Sequence, residues 1–213
     1  MKIICGTDFS VHSAHAANVA AALAAKRDVP FKFVHAVAPA HLEFLSDPHV
    51  NYLRNKLRRK LVAEGNRLRT LGADVVEKLV LGKPHEVLVN SAQHFKANLI
   101  IVSTMGQIAP SRWLAGSVAE RTAQNSTVPT LVVRDHDCLI EWAKGKRALN
   151  VFIGYDFSES ADAALRWVLS LSEIGPCNLT VTYLSWPPSE TWRLGIGDCT
   201  SKGANSPEVH ALL

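Results

Sequence analysis

The chain contains an internal repeat, and this repeat limits the possible folds more strongly than any other feature of the sequence. When Lys2–Val37 is aligned with Asn150–Ser185, at a constant shift of 148 positions, Gly6-Thr7-Asp8-Phe9-Ser10 falls on Gly154-Tyr155-Asp156-Phe157-Ser158. Four of these five positions are identical. Self-similarity of this kind indicates one structural unit that occurs twice in the chain.

Each copy has the pattern of a strand, a helix and a second strand. In the first copy, the short apolar runs Ile3-Ile4-Cys5 and Phe31-Lys32-Phe33 flank a stretch of helix length, and the matching runs of the second copy are also apolar. Runs of this type are typical of strands that are buried on both faces of a parallel sheet. The pattern therefore predicts a βαβ unit in each copy, with Ser10 and Ser158 as helix N-caps.

The first copy continues with further alternating elements. The sequence predicts two more helices and three more strands: a basic helix over 48–71, a strand over Val75–Leu81, a helix over Pro84–Lys96, a strand over Leu99–Ser103 and a strand over Val128–Arg134. We therefore predict a first module over residues 1–135, a linker over 136–148 and a partial second module over 149–213. The second module is expected to stop at the start of its second helix.

Composition excludes several classes of protein. Hydrophobic residues make up 47% and charged residues 20%, which excludes a disordered chain, and the net charge of +4 is too small to indicate a nucleic-acid partner. The most apolar stretch, Ala16–Ala25, is half the length that a membrane-spanning helix needs. The four cysteines are few and widely spaced. We expect a cytoplasmic globular protein with no membrane or nucleic-acid partner.

The segment between the fourth and fifth strands carries the clearest indication of ligand binding. Gly106 and Gly116 lie in a loop that leads from a strand into a helix. Glycines allow the backbone to approach a ligand closely, and the N–H groups at a helix start favour an anion. From the residues alone, this segment is either a phosphate-binding loop or a plain connection.

The spacing in this loop resembles that of the universal stress protein family. The family's loop has the form Gly-x2-Gly-x9-Gly-(Ser/Thr), and Gly106, nine residues and Gly116-Ser117 reproduce its last three fixed positions. Ser103 stands where the first motif glycine belongs; its side chain either narrows the phosphate cradle or donates its hydroxyl to a phosphate. The resemblance extends to four more segments: Thr7-Asp8-Phe9-Ser10, His35-Ala36-Val37, Gly82-Lys83-Pro84 and Val128–Val133.

The resemblance implies a fold and a ligand. The fold would be α/β and flavodoxin-like, with a parallel five-stranded sheet of order 3-2-1-4-5, helices on both faces and a partial second copy. ATP, with or without Mg²⁺, would bind at the carboxyl ends of the strands, where the strand order reverses. The implied nucleotide-binding residues are Thr7, Asp8, Ala36, Val37, Ser103, Gly106, Gln107, Arg112, Gly116, Ser117 and Val118.

The resemblance also implies a function, a cytoplasmic stress-response module that binds ATP and is regulatory rather than catalytic. Two alternatives remain open at this point: a nucleotide-free dimerisation scaffold of the same family, favoured by Ser103, and a slow ATPase. No catalytic residue is predicted, because the usual hydrolase and kinase motifs do not occur. The expected assembly is a homo-oligomer through the edge strand Thr130–Val133 or an internal pseudo-dimer of the two modules.

Two groups of metal-ligand residue types occur, and neither predicts a metal site by itself. His12 and His15 are three positions apart on the first helix, but two ligands do not make a zinc site. The segment His136-Asp137-Cys138 lies in the predicted linker, and adjacent residues rarely converge on one ion. We therefore expect no metal.

Overall fold

The computed structural model describes residues 1–42, 46–104 and 117–183. The strands are β1 (Ile3–Gly6), β2 (Phe31–Val37), β3 (Val75–Leu81), β4 (Leu99–Ser103), β5 (Thr130–Val133), β6 (Leu149–Gly154) and β7 (Cys177–Thr182). The α-helices are α1 (Val11–Arg27), α2 (Asp47–Arg69), α3 (Pro84–Phe95), α4 (Ser117–Asn125), α5 (Asp137–Ala143) and α6 (Glu159–Ser170), with short 3₁₀ helices at Pro39–His41 and Leu171–Glu173. Two compact units are present.

The first unit comprises Met1–Leu149 and Ser170–Cys177, and it is built on a five-stranded parallel sheet. The strand order is β3-β2-β1-β4-β5, which confirms the predicted order. In the register of the central strand, Ile3 lies beside Phe31 on one side and Leu99 on the other. The apolar residues of β1 are fully buried, as the continuous apolar run predicted.

Helices cover both faces of this sheet. Alanine-rich α1 packs against β1 and β4 and contacts α2 and α5, whereas α3 packs against β1 and β2 and contacts α4. Successive right-handed crossovers place α1 and α2 on one face and α3 and α4 on the other. Within the three described ranges, no helix combines the length and the apolarity needed to cross a membrane.

The predicted linker 136–148 contains a helix that the sequence pattern does not predict. Helix α5 packs against α1, and its Trp142 side chain is only 2% exposed. Trp142 and Ala143 are both buried, with the Trp142 indole beside Gly175, and this burial stabilises the short helix. The linker thus differs from the prediction in containing a helix, and the module boundaries at 135 and 149 stay predictions.

The second unit contains Asn150–Leu169 and the described residues from Asn178 on. Strands β6 and β7 form a two-stranded sheet, and α6 lies between them in the chain. The Tyr155 amide donates to the Thr182 carbonyl at 2.9 Å at the end of this pair. Two large apolar side chains of these strands, Phe152 and Val181, are 76% and 49% exposed. This part of the chain thus has the strand, helix and strand of the predicted second βαβ unit.

Candidate functional site

The sheet of the first unit reverses its strand order between β1 and β4. From β1 the chain continues through β2 to β3 at one side of the sheet, and from β4 it continues to β5 at the other side. In open α/β sheets, ligands bind at such a reversal, outside the carboxyl ends of the strands. Thr7 and Asp8 follow β1 directly, and Ser103 is the last residue of β4. The fold therefore brings these three predicted residues to the same edge of the sheet.

The turn after β1 is held by side-chain hydrogen bonds. Thr7 Oγ1 accepts from the Phe9 amide at 3.0 Å and lies 3.1 Å from Ser13 Oγ. Asp8 Oδ1 accepts from the Ser10 amide at 3.0 Å, and Ser10 caps α1 by accepting from the Ser13 amide at 3.1 Å. Short polar side chains that bond their own turn in this way fix its backbone. Asp8 is consequently held at a defined position at the edge of the sheet.

A histidine of the neighbouring strand supports the same turn. His35 Nδ1 lies 2.7 Å from the Thr7 carbonyl oxygen, and since a carbonyl can only accept, Nδ1 carries the proton. The Phe9 ring lies 4.4 Å from the His35 ring, with φ of Phe9 at +62°. The Lys60 ammonium lies 4.7 Å from the centre of the Phe9 ring, within cation–π distance.

Sequence reasoning assigned no role to His35 or Lys60. The role of His35 follows from the register of β1 and β2 in the structure. Gly6 pairs with Val34, so the residues that follow them, Thr7 and His35, are neighbours. Lys60 lies among several exposed basic residues of α2, and nothing in the sequence separates it from them.

The residues predicted to contact the base of the nucleotide lie at the end of β2. Ala36 and Val37 are its last two residues, and they pair with Val80 and Leu81 of β3. The Val37 carbonyl accepts from the Gly82 amide at 2.9 Å. A carbonyl oxygen has two lone pairs, so this bond leaves Val37 able to accept a second donor.

Only some of the residues predicted to bind phosphate lie within the described part of the chain. Ser103 is half-buried beside Val133, and the following amide, of Thr104, donates to the Val133 carbonyl at 3.1 Å. Helix α4 begins at Ser117, which is exposed, and the Val118 carbonyl accepts from Thr122 Oγ1 at 2.6 Å. Four predicted residues lie outside the described residues: Gly106, Gln107, Arg112 and Gly116.

The second unit repeats the turn of the first. The Ser158 amide donates to Asp156 Oδ1 at 3.0 Å, the Ala161 amide donates to Ser158 Oγ at 3.1 Å, and φ of Phe157 is again +62°. These three features match those of Asp8, Phe9 and Ser10 at the shift of 148 positions. The repeat is therefore present in backbone conformation and hydrogen bonding, in addition to residue identity.

One contact distinguishes the second turn from the first. The Tyr155 hydroxyl donates to the Asp162 carboxylate, and this raises the pKa of Tyr155. The matching residues of the first unit are Thr7 and Ala14, which cannot form this pair. The two turns thus share their backbone and three side chains and differ at Thr7 and Tyr155.

The geometry of the first unit agrees with a comparison against known families. Residues 1–134 match the model of the universal stress protein family. The chain belongs to this family. A universal stress protein of Methanocaldococcus jannaschii is 30% identical over 142 residues, an alignment that covers 62% of this chain and 81% of that relative.

Solved structures of the family share the fold. The crystal structure of a universal stress protein in complex with cAMP aligns with a TM-score of 0.52 at 26% identity, and it covers 63% of this chain and 97% of its own. A universal stress protein from Archaeoglobus fulgidus aligns with a TM-score of 0.68 at 18% identity, over 92% of this chain and 71% of its own. At that identity the second alignment shows a likeness of fold alone.

Proposed function

We propose that the first unit binds ATP at the carboxyl edge of its sheet and acts as a regulatory stress-response module rather than as an enzyme. The observation that carries the proposal is the position of the Thr7–Asp8 turn, which is fixed by its own hydrogen bonds at the strand-order reversal. A family structure 26% identical to this chain is a complex with cAMP, which shares adenine, ribose and phosphate with ATP.

Each part of the nucleotide has residues suited to it. The Asp8 carboxylate accepts from a ribose hydroxyl, and the backbone of Ala36 and Val37 meets the adenine edge. The loop residues Gly106, Gln107, Arg112 and Gly116, together with Ser103 and the first residues of α4, Ser117 and Val118, bind the phosphates. A Mg²⁺ ion would accompany the phosphate oxygens, because these are the hard ligands that it prefers.

Calorimetric titration of the full chain with ATP tests the ribose contact, and the repeat supplies a matched control. Asp8→Ala and Asp156→Ala remove the same hydrogen bond to the same turn amide, one in each unit. A hydrogen bond to a charged group contributes about 1.5–3 kcal/mol, so Asp8→Ala should weaken ATP binding by roughly 10- to 150-fold. Asp156→Ala should leave the affinity unchanged. Equal losses in both variants, or no binding by the wild type at millimolar ATP, would refute the proposal.

Two substitutions test the phosphate loop. Gly116→Val should abolish the calorimetric signal without unfolding the protein, because a β-branched side chain obstructs the approach of backbone to phosphate. Ser103→Gly should tighten ATP binding if the serine narrows the cradle. A Ser103→Gly affinity below that of the wild type would instead assign the hydroxyl to a phosphate contact.

A nucleotide-free scaffold is the second candidate function; Ser103 at the position of the first motif glycine favours it, and β5 offers a surface for its dimer. This strand, Thr130–Val133, is at the edge of the sheet, where its outer backbone groups are open to pairing with another copy. A dimer through β5 is compatible with ATP binding, and an internal pseudo-dimer of the two modules is the other assembly that we consider. Native mass spectrometry separates these assemblies, and mass spectrometry of the freshly purified, denatured protein detects a nucleotide that co-purifies.

Slow ATP hydrolysis is the remaining alternative. Phosphate release measured with wild type and Gly116→Val would detect it, since only turnover that requires the loop counts as an activity of this site.

We also propose that the protein is located in the cytoplasm, where thiols such as those of Cys5, Cys138 and Cys177 stay reduced. Cell fractionation tests that placement.

A further inference from the structure

The fold brings together two groups of histidines and carboxylates that are about 120 positions apart in the chain. His12 and His15 lie in the first turns of α1, and His136 lies between β5 and α5, flanked by Asp135 and Asp137. The rings of His15 and His136 are stacked, with centroids 3.9 Å apart and planes 8° from parallel. The His12 and His15 rings are 6.4 Å apart. All five side chains belong to the first unit.

Three of these five side chains have ligand atoms close enough together to hold a small dication. One ligand atom each from Asp135, His136 and Asp137 lie within 4.8 Å of one another. His136 Nε2 and Asp137 Oδ1 are 3.4 Å apart. Two ligands on tetrahedral zinc, with bonds of about 2.0–2.1 Å, are separated by roughly 3.3 Å. This pair therefore already stands at a zinc-ligand distance.

His15 is the candidate for a further ligand, because its ring is stacked on that of His136. Because each imidazole lone pair lies in the plane of its ring, two parallel rings must turn relative to each other before both nitrogens reach one ion. The torsion involved, χ2 of histidine, is broad and soft. Burial and the neighbouring His136 and His12 lower the pKa of His15, while Asp137 opposes this effect.

Charge and access are also suitable. The two aspartates supply the negative charge that balances a dication, and the Asp137 side chain is 80% exposed while that of His136 is 24% exposed. An ion can thus reach the carboxylates from solution. Imidazole and carboxylate together suit zinc and its neighbours in the first transition series.

We propose that His15, His136, Asp137 and Asp135 form a binding site for a divalent transition metal of the zinc type, with His12 as an additional ligand within reach. The proposed metal ligands share no residue with the proposed nucleotide contacts, and metal binding is tested without nucleotide. The site combines the His12–His15 pair with the segment around His136, neither of which predicts a metal site by itself. The fold supplies what the sequence lacks, which is the approach of α1 to the start of α5.

The experiment uses the full chain without a histidine tag, stripped with a chelator and titrated with zinc chloride by calorimetry. His136→Gln, His15→Gln and Asp137→Asn keep approximate size while removing or weakening a ligand. Each should weaken zinc binding by at least about tenfold, since even outer-shell changes cost that much. His94→Gln is the matched control, because His94 is an exposed histidine on α3, and its zinc affinity should equal that of the wild type.

A second measurement addresses folding and coordination directly. Cobalt(II) in place of zinc should give visible absorption bands in the wild type and in His94→Gln, and the bands should be lost in His136→Gln. The exposed Asp137→Asn variant retains the packing of α5, so a loss of affinity there cannot be attributed to unfolding. Absence of saturable zinc binding at micromolar concentration, or equal affinities across all four variants, would overturn the proposal and leave the histidines as a stacked pair only.

Discussion

Gly65 in α2 faces Glu77 of β3. We predict that Gly65→Ala destabilises the protein when Glu77 is present and stabilises it when Glu77 is replaced by alanine. A Cβ atom at Gly65 would lie 2.6 Å from Cδ and 2.8 Å from Cγ of Glu77 and would overlap its Oε1 atom. The Glu77 carboxylate cannot simply turn away, because Arg69 donates to both of its oxygens, at 2.7 and 2.9 Å. Gly65→Ala must therefore break this pair of bonds.

The magnitude follows from two opposing effects. The lost bonds are charge-assisted, and because the Arg69 side chain is 41% exposed we take the lower value, about 1.5 kcal/mol each. Alanine in place of glycine inside a helix gains about 1 kcal/mol. Gly65→Ala should thus destabilise the first unit by about 2 kcal/mol, a fall of roughly 4–8 °C in Tm for a unit of this size.

The control is the same substitution in a chain without the obstructing carboxylate. In the Glu77→Ala background the obstructing carboxylate and its ion pair with Arg69 are gone, so Gly65→Ala should stabilise the protein by about 1 kcal/mol through helix propensity. Urea denaturation followed by far-UV circular dichroism measures all four chains of this cycle. Gly65→Ala with the same sign of effect in both backgrounds would refute the reasoning.

Three other predictions concern reactivity, assembly and the second unit. Complete burial raises the pKa of the Cys5 thiol far above its usual range, so iodoacetamide at pH 8 should modify Cys138 and Cys177 first and Cys5 only after unfolding, as peptide mass mapping will report. Leu131→Lys in the edge strand should convert a homo-oligomer into a smaller species on light scattering; a monomeric wild type would contradict this. A fragment of residues 149–213 should show no cooperative, monomeric thermal transition, because its two strands bury too little apolar surface.

The strands of the first sheet are predictable because their apolar runs are short and continuous. Val75–Leu81 and Leu99–Ser103 are strands over the same residues that the sequence predicts. The fifth strand is shorter than predicted, Thr130–Val133 instead of Val128–Arg134, since Pro129 has no amide to donate and contributes only its carbonyl, to the Ile100 amide. Strand order followed from the family resemblance, and the sheet confirms it.

The sequence could place Thr7, Asp8 and Ser103 near one another, because the carboxyl ends of parallel strands lie on the same side of the sheet. It could not show the bond from His35 to the Thr7 carbonyl or the stacking of His15 on His136, since both depend on how separate elements pack. Helix α5 was missed for a related reason. Seven residues are too few for a clear helical period, and the burial of Trp142 depends on the packing of segments that are distant in the sequence, such as the one that contains Gly175. The nucleotide contacts of the glycine loop stay predictions.

Phe9 and Phe157 both adopt a left-handed backbone, at a φ of +62°, where an L residue with a bulky side chain is strained by about 1–2 kcal/mol. Glycine would remove the strain, yet each copy has an aromatic residue there, with its ring against His35 in one unit and within 5.2 Å of Tyr155 and Tyr183 in the other. The ring contacts and the hydrogen bonds of each turn together offset this strain. Alanine at either position would therefore lose the ring contacts and keep the backbone strain, whereas glycine would lose both, so the two substitutions separate the energy of the ring from that of the backbone.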